Sequence, residues 1–208
     1  MLISELAERS GTPTATIKYY VREGLLPAGE RVGGNRTLYD ESHERRLRLI
    51  RAMLEVGKLS IASVKTVLSA LDEPDAPLVH TFDVAQQALS RSAVPDVAEP
   101  TPEALARVDA LAARAGWSDC DDNIGRDIAA QVLDAFANAG FPLPDDYLDR
   151  YAVAARTQAE ADLGAVAGLP DASRMTELMV VGTVLGDTLS LGLRRMAQAV
   201  VSNERRTS

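Results

Sequence analysis

The sequence predicts a mostly α-helical chain, in which a small β-hairpin follows two N-terminal helices and an all-α helical bundle occupies the C-terminal half. Three observations predict this class. Apolar residues recur at helical spacing through most of the 208 residues. The pair Gly33-Gly34 separates two short extended runs, as in a hairpin. Runs of β-branched residues are few outside residues 179–184, so no larger sheet is expected.

The first two helices are predicted by apolar spacing and by the signals at their ends. Residues 2–9 carry apolar side chains at helical spacing, and Gly11 ends that segment. Thr12 is the expected N-cap of the next helix, because a hydroxyl is followed by a proline in the first helical position. This helix is expected over residues 14–23, with Gly24 in the C′ position. Two helices joined by a short glycine turn outline a helix-turn-helix.

The hairpin and the next two helices follow in order. Residues 26–39 are rich in glycine and predict a β-hairpin wing that turns at Gly33. Asp40 is expected to cap a helix over residues 41–56, and Ser60 to cap another that ends near residue 71. These elements complete a predicted winged helix-turn-helix.

The remainder of the chain is predicted to be helical. An amphipathic helix is expected over residues 77–90, and the prolines of residues 92–102 indicate a linker. Four more helices are expected, over residues 102–115, 123–138, 145–166 and 173–204.

Charge is distributed unevenly along the chain. The formal net charge is −8, which taken alone argues against a nucleic-acid partner. Residues 1–71 nevertheless hold 11 Lys or Arg against 8 Asp or Glu, a net of +3, whereas residues 72–208 hold 11 against 22, a net of −11. Two charge regimes suggest two modules with different partners.

Composition excludes several classes of function. A single cysteine, Cys120, cannot build a disulfide framework, a structural zinc site or a cysteine-ligated iron–sulfur cluster within the chain, and it fits a reduced cytoplasmic compartment. The N-terminus does not read as a secretory signal, and the apolar stretch 178–193 is interrupted by Asp187, so no membrane partner is expected. Motifs for phosphate binding or hydrolysis are not found. We therefore expect no enzyme, no catalytic residue, no metal and no cofactor.

The most specific feature is the run IKYYVREGLLP at residues 17–27. It follows ISELA at residues 3–7 and the glycine turn at Gly11, and it precedes an Arg- and Leu-rich helix at residues 45–51. In this order the chain resembles the MerR family of bacterial transcription regulators over about residues 2–71. A Tyr-Tyr pair alone would more readily indicate core packing. The resemblance implies a winged helix-turn-helix that binds promoter DNA.

Candidate DNA contacts lie on the second helix and on the wing. Lys18 and Arg22 are four residues apart and share a helix face, where they can neutralise phosphates. One of the two adjacent tyrosines is expected in the core, while the other can place its hydroxyl on a phosphate. The resemblance adds wing residues that grip the flanking backbone. The candidate DNA-binding residues are Thr14, Thr16, Lys18, Tyr19, Tyr20, Arg22, Arg31, Arg36 and Tyr39.

Some positions in this module keep two interpretations. The four arginines of residues 45–51 either approach DNA or form a solvated helix face. In the wing, either Arg36 or Thr37 takes the place of the family's arginine. His43 is expected on the surface, in the first turn of its helix.

The resemblance also implies a homodimer on a palindromic promoter site, with RNA polymerase as a candidate partner and DNA distortion as the mode of activation. The expected connecting helix, over residues 77–90, is short, so the C-terminal module is expected to supply much of the dimer contact. Small residues at four-residue spacing on the last helix let a second helix approach closely, or else pack within their own bundle. The candidate interface residues are Leu78, Phe82, Leu89, Gly182, Gly186 and Ser190.

Relatives of this family sense metals, oxidants, cobalamin or drugs through their C-terminal parts. Because the chain has a single cysteine, it cannot bind a metal through several of its own thiolates. The acidic run at residues 119–122 is interpreted as a turn that precedes a helix rather than as a metal site. The apolar residues of this module have two interpretations. They either line a pocket for a small-molecule effector or form an ordinary filled core. The acidic net charge of the module favours a cationic effector. The candidate pocket residues are Trp117, Phe136, Phe141, Tyr147, Tyr151 and Met175.

Three regions are therefore expected. Residues 1–71 form a DNA-binding domain, residues 72–101 a connecting helix and linker, and residues 102–208 a helical effector and dimerisation domain. The predicted function is a DNA-binding regulator under small-ligand control. The alternative is a DNA-binding domain fused to a helical module that sequesters a ligand or binds a protein without changing DNA binding. A further alternative is an enzymatic C-terminal module, which would have to use Cys120 as its nucleophile.

Overall fold

The computed structural model describes residues 1–33, 36–73, 84–88, 99–118 and 122–207. By its internal contacts the chain divides into two units. The first comprises Met1–Ala88 together with Thr176–Ser208, and the second comprises Leu89–Met175. This division groups most of the last helix with the N-terminal module, whereas the sequence predicted one domain over residues 102–208 that includes this helix.

The N-terminal module has the predicted order of helices and hairpin, and the mostly α fold class is confirmed. Helix α1 packs on α2 and α3, and the two short strands pair antiparallel. The elements are α1 (Ile3–Ser10), α2 (Thr14–Arg22), β1 (Glu30–Arg31), β2 (Thr37–Leu38), α3 (Glu41–Arg51), a π-helical turn (Ala52–Val56) and α4 (Ile61–Leu71).

Capping residues explain most of these boundaries. Gly11 and Gly24 adopt φ values of 64° and 74°, the left-handed conformation that the sequence predicted at the ends of α1 and α2. Asp40 and Ser60 cap α3 and α4 as predicted, each accepting backbone N–H bonds. The prediction that Thr12 caps α2 is wrong. Pro13 occupies the N-cap, and the buried Thr12 hydroxyl has no hydrogen-bond partner among the described residues.

The core of this module draws side chains from every helix, which fixes how each helix is rotated. Its fully buried large residues include Leu6, Ile17, Leu25, Leu26, Leu47, Ile50, Met53, Val64, Val67 and Leu68. The polar face of each helix is consequently held toward solvent.

The end of α3 differs from the regular helix that the sequence predicted over residues 41–56. Its last turn, Ala52–Val56, is π-helical, and Lys58 then adopts φ 55° before α4 begins. Gly57 lies between the π-helical turn and Lys58. A methyl group on Gly57 would overlap the Val184 side chain and lie 2.9 Å from the Met53 carbonyl oxygen. The absence of a side chain at Gly57 therefore lets the last helix approach this turn closely.

Within its described residues, the second unit has three helices that surround a small apolar core. They are α5 (Pro102–Ala115), α6 (Ile124–Asn138) and α7 (Asp145–Ala167), and α5 packs on both others. The bounds agree with the predicted helices to within a residue. The buried core consists of Ala104, Ala130, Leu133 and Leu148. Ion pairs at the surface join the helices. In one of them, Arg126 Nε and Nη2 donate to Asp109 Oδ1 and Oδ2 at 2.7 and 2.8 Å.

The last helix, α8 (Ala172–Thr207), spans 36 residues and is longer than predicted. Met179, Val180 and Val184 are buried, whereas nearly all positions from residue 187 onward are exposed. Residues 174–206 are long and apolar enough to cross a membrane by length and composition alone, with a mean hydropathy of 1.2, a test that core helices of soluble proteins also pass. The apolar stretch predicted from the sequence, residues 178–193, is shorter than this segment.

The predicted connecting helix over residues 77–90 is described only at residues 84–88, which are helical. Within this segment Ala85 and Ala88 are buried. The predicted interface residues Leu78, Phe82 and Leu89 lie outside the described residues.

Candidate nucleic-acid interface

One face of α2 is polar and exposed. Thr14, Lys18 and Arg22 recur at four-residue intervals and all three are exposed, while Thr16 is half-buried beside them. On the inner side Ile17 is buried in the core. Because the core determines the rotation of α2, the hydroxyl and basic side chains are presented together without relying on loop flexibility.

The two tyrosines of α2 have different environments. Tyr20 is buried and Tyr19 is half-buried, with ring centroids 5.8 Å apart and planes tilted by 54°. Burial raises the pKa of Tyr20, and the nearby Glu55 carboxylate adds to this rise. Tyr20 is therefore the core aromatic of the pair, and Tyr19 is the one whose ring reaches the surface.

Arg22 is oriented before any ligand arrives. Its guanidinium carbon lies 5.2 Å from the centroid of the Tyr19 ring, and its Nε lies 3.3 Å from Oε1 of Glu23. The side chain nevertheless remains 72% exposed. Lys18, by contrast, makes no hydrogen bond or ion pair with any described residue, so its ammonium group is available for a phosphate.

The wing presents its two arginines outward. Arg31 pairs with Thr37 in the strand register, and the Val32 N–H donates to the Arg36 carbonyl at 3.1 Å. Both Arg31 and Arg36 are exposed, while Thr37 is half-buried. Arg36 is thus the long basic side chain at this end of the hairpin.

Tyr39 and His43 lie in the core at the base of the wing. The Tyr39 ring meets the His43 ring edge to face, with centroids 5.2 Å apart, and the Tyr39 N–H donates to the Met1 carbonyl at 2.8 Å. The prediction that His43 is a surface residue is wrong, because the imidazole folds back into the capping box of α3 and is buried. Hydrogen bonds from Ser42 and His43 hold the pKa of Asp40 well below its usual range.

Three of the four arginines on α3 form ion pairs within the module, and two of them also donate to backbone carbonyls of other segments. Arg46 donates to the Leu25 carbonyl at 3.1 Å and forms a fork with Asp72 at 2.8 and 2.5 Å. Arg51 donates to the Ser10 carbonyl at 3.0 Å and pairs with Glu55, which lowers the pKa of that carboxyl. Arg48 pairs with the buried Glu44, which Arg9 also contacts at 2.8 Å.

Arg45 differs from its neighbours because it is exposed and makes no hydrogen bond or ion pair with any described residue. Two lysines, Lys58 and Lys65, share this property, and the sequence did not predict either as a DNA contact. Lys58 precedes the cap of α4, and the Lys65 ammonium lies near the end of α2, 3.9 Å from where a Cβ on Gly24 would stand. Their only signal in sequence is a basic residue beside a helix boundary. Among the described residues of this module, the cations without such contacts are Lys18, Arg31, Arg36, Arg45, Lys58 and Lys65.

The predicted pocket residues of the second unit are only partly brought together. Trp117 lines a surface cavity of about 290 Å³ together with Arg114 and Asp149, which form an ion pair at 2.9 Å. The other five candidates are not among its lining residues. Tyr147 and Tyr151 stack with centroids 4.7 Å apart.

The remaining pocket candidates are more open. Phe136 and Phe141 are exposed, Phe141 to 72%, and Met175 is half-buried. Among the described residues, no group of three or more His, Cys, Asp or Glu side chains is placed to hold a metal ion.

The two predicted interface glycines of α8, Gly182 and Gly186, have open space around them among the described residues. Gly182, Gly186 and Ser190 are half-buried, and a methyl group on either glycine would meet no described atom within 4 Å. No described helix of this chain therefore packs closely against the two glycines.

Comparison with protein-family models matches residues 1–71 to the model described as "MerR HTH family regulatory protein". This span coincides with the module that carries the exposed face of α2 and the wing. The match therefore covers the candidate interface and leaves the C-terminal helices outside it.

Individual relatives extend this result. The mercuric resistance operon regulatory protein of Bacillus cereus is 32% identical over 81 residues, 39% of this chain and 61% of that protein. The nodulation protein NolA of Bradyrhizobium elkanii is 42% identical over 55 residues, 26% of this chain and 25% of that protein. In both cases the matched segment is less than two thirds of the relative's own length.

A solved structure is similar over nearly the whole chain. The crystal structure of SCO5550, a proposed transcriptional regulator from Streptomyces coelicolor A3(2), superposes with a TM-score of 0.76 at 30% identity. The match covers 99% of this chain and 97% of SCO5550. The C-terminal helices therefore have a counterpart in another protein with the same kind of N-terminal module.

Proposed function

We propose that the chain, whose residues 1–71 match the family model of MerR helix-turn-helix regulators, is a sequence-specific transcriptional regulator that binds a palindromic promoter site as a homodimer. The observation that carries this proposal is the exposed face of α2. Thr14, Lys18 and Arg22 stand together on a helix whose rotation is held by the buried Ile17 and Tyr20. The major groove of DNA admits an α-helix, and this one presents a polar face to it.

The remaining basic groups support a division of tasks in the complex. We expect Lys18 and Thr14 to reach base edges or phosphates in the groove, and Arg31 and Arg36 to bind the flanking backbone from the wing. Contacts to phosphate supply affinity without sequence information, so the wing is expected to position the protein rather than to select the site.

Partners and location follow from this function. We propose promoter DNA and a second copy of the chain as partners, RNA polymerase as a contact on the promoter, and the cytoplasm as the site of action. We propose a binding role and no enzymatic activity for the C-terminal helices.

Control by a small ligand is the less supported part of the proposal. The cavity beside Trp117 combines an aromatic ring with the Arg114–Asp149 pair, and its volume of about 290 Å³ lies at the lower end for ligand sites. A helical module that sequesters ligand or binds protein without switching is the alternative. A thermal-shift screen with cationic and apolar compounds, followed by operator binding with each hit, distinguishes them: a switching module changes operator affinity, whereas a sequestering module does not.

The DNA-binding function is tested with the DNA upstream of the chain's own gene, searched for a palindrome and footprinted with the purified protein. The double variant Lys18→Ala/Arg22→Ala is expected to bind at least about 30-fold more weakly, because each contact contributes about 1–3 kcal/mol. The slope of log affinity against log salt should fall by about 2.

The matched control is Arg150→Ala/Arg156→Ala, which removes the same charge from exposed positions of the second unit. It is expected to retain the affinity and salt slope of the unmodified protein. Equal binding by all three proteins would remove α2 from the interface.

A further inference from the structure

The cavity beside Trp117 lies between the end of α5 and one face of α7. Gly116 ends α5 in the left-handed conformation, with φ 70°, and the Trp117 N–H donates to the Ala112 carbonyl at 2.9 Å. This turn holds the half-buried indole at the cavity. The apolar part of the α7 wall includes Ala152, which is buried, and Val153. The cavity therefore combines a flat aromatic surface with an apolar wall.

Two arginines line the same cavity, and they differ in the contacts that they make. Arg114 donates from Nε and from Nη2 to Oδ1 of Asp149, at 2.9 Å in each case. Asp149 is the one carboxylate among the described lining residues, and Arg114 neutralises it. Arg156 donates from Nε alone, to Oε1 of Glu160 at 2.8 Å. Its Nη1 and Nη2 make no hydrogen bond or ion pair with any described residue.

The ion pair of Arg156 with Glu160 does not close the site. The two side chains are 60% and 63% exposed, and Glu160 is not among the lining residues. An exposed pair of this kind contributes little to stability, because solvent and salt screen it. The free Nη1 and Nη2 form a fork of two parallel donors, which is the geometry that a carboxylate accepts.

We propose that this cavity binds a small aromatic carboxylate, with the ring against Trp117 and the carboxylate on Nη1 and Nη2 of Arg156. Aromatic rings pack favourably in offset or edge-to-face geometry, and hydrogen bonds between two charged groups are stronger than neutral ones. A dry apolar cavity of about 150 Å³ holds benzene. The volume of about 290 Å³ here therefore accommodates one ring with a short side chain that carries the carboxylate.

The sign of the ligand's charge follows from the groups at the cavity. Residues 72–208 carry a net charge of −11, and this sum favours a cationic effector. At physiological salt, however, exposed charges more than about 8 Å apart are largely screened from each other, so the nearest groups decide. A cation would find the Asp149 carboxylate already bound by Arg114, and it would also meet the guanidinium of Arg156. An anion meets a guanidinium with free donors.

This inference deepens the proposed control by a small ligand, and it rests on that proposal only for the effect on DNA. Binding to the cavity is measured without DNA. If the ligand binds but leaves the affinity for the operator unchanged, the site stands and the ligand control fails. If the protein binds its operator but not the ligand, the site alone fails.

The ligand class is tested by fluorescence titration of the full chain, because Trp117 is its single tryptophan. The probes are phenylacetate, its neutral isostere phenylacetamide and the cation phenethylammonium, at constant ionic strength. Phenylacetate should change the Trp117 emission saturably and bind at least about tenfold more tightly than either other probe, since only the anion pairs with Arg156. Equal or tighter binding of the cation overturns the proposal, as does the absence of phenylacetate binding up to its solubility limit.

The role of Arg156 is tested with Arg156→Gln. This exposed substitution should leave the thermal unfolding of the protein unchanged, yet weaken phenylacetate binding at least about tenfold and remove the preference for phenylacetate over phenylacetamide. Arg150→Gln is the matched control, since it removes the same charge from an exposed position of α7 that does not line the cavity. It should keep the preference. An Arg156→Gln protein that still prefers the anion overturns the assignment of the carboxylate to Arg156.

Discussion

At the residue scale, hydrogen bonds and ion pairs determine which cations of the N-terminal module remain for DNA. Arg46 is only 14% exposed and uses its three donor nitrogens on Leu25 and Asp72. Arg45, one residue earlier, is exposed and makes no such contact within the described chain. Adjacent residues of the same type therefore have different tasks, and the difference depends on which side of α3 each one occupies.

This allocation predicts opposite effects for two neighbouring alanine substitutions. Arg46→Ala should lower the free energy of unfolding by about 1.5–3 kcal/mol, because it removes charge-assisted hydrogen bonds and leaves the Leu25 carbonyl unpaired. Arg45→Ala should leave stability unchanged and lower the salt slope of operator binding by about 1. Urea unfolding and a salt titration of operator affinity measure the two effects. The assignment fails if Arg45→Ala destabilises the fold while leaving the salt slope intact.

At the scale of elements, the π-helical turn and the last helix form one packed feature. Ala52–Val56 widens the end of α3, and Gly57 lacks the side chain that would keep Val184 away. The contact joins the start of α4 to α8 and makes one face of α8 part of the first unit. It also leaves the opposite face of α8 exposed.

A methyl group at residue 57 should therefore be costly. Gly57→Ala is expected to destabilise the chain by about 1–3 kcal/mol through overpacking against Val184 and the Met53 carbonyl. The additional substitution Val184→Ala should recover part of this loss, and urea unfolding of the single and double variants gives the coupling energy.

Gly164→Ala is the control for this pair, because a methyl there meets no described atom and a helical alanine is favoured by about 0.5–1 kcal/mol. Simple additivity of the Gly57 and Val184 substitutions would contradict the packing argument.

At the scale of the whole molecule, a modest basic excess has to hold DNA while the rest of the chain is acidic. Residues 1–71 carry a net charge of only +3, and five of their eleven cations, Arg9, Arg22, Arg46, Arg48 and Arg51, are paired with acids. A single module is therefore expected to bind weakly. Two modules joined in the proposed homodimer are expected to bind one palindrome more tightly, because the second module then binds at high effective concentration.

The proposed homodimer should consequently depend on both half-sites. The unmodified protein is expected to bind a fragment with a single half-site at least about tenfold more weakly than a fragment with the full palindrome. Fluorescence anisotropy with both fragments measures this difference. Equal affinity for the two fragments would mean that one module binds DNA without the help of a second.

The order of elements in this chain was predictable because their signals are local. Helix caps, C′ glycines and apolar spacing depend on neighbours within a few residues, so the sequence predicted the hairpin, the caps at Asp40 and Ser60 and the helices of the second unit. The errors at Thr12 and His43 concern side chains that turned into the core, which local pattern does not reveal. The π-helical turn was missed for the same reason.

The sequence by itself determined the MerR-type N-terminal module, the mostly helical fold and the helix that carries Lys18 and Arg22, since these depend on residue type and spacing along one segment. Only the tertiary structure decided which arginines are consumed by Asp72, Glu44 and Glu55, and which face of α8 is covered. Those outcomes depend on contacts between residues far apart in the chain, such as Gly57 and Val184. A side chain's role is set by its partners, and partners distant in sequence are brought together only by folding.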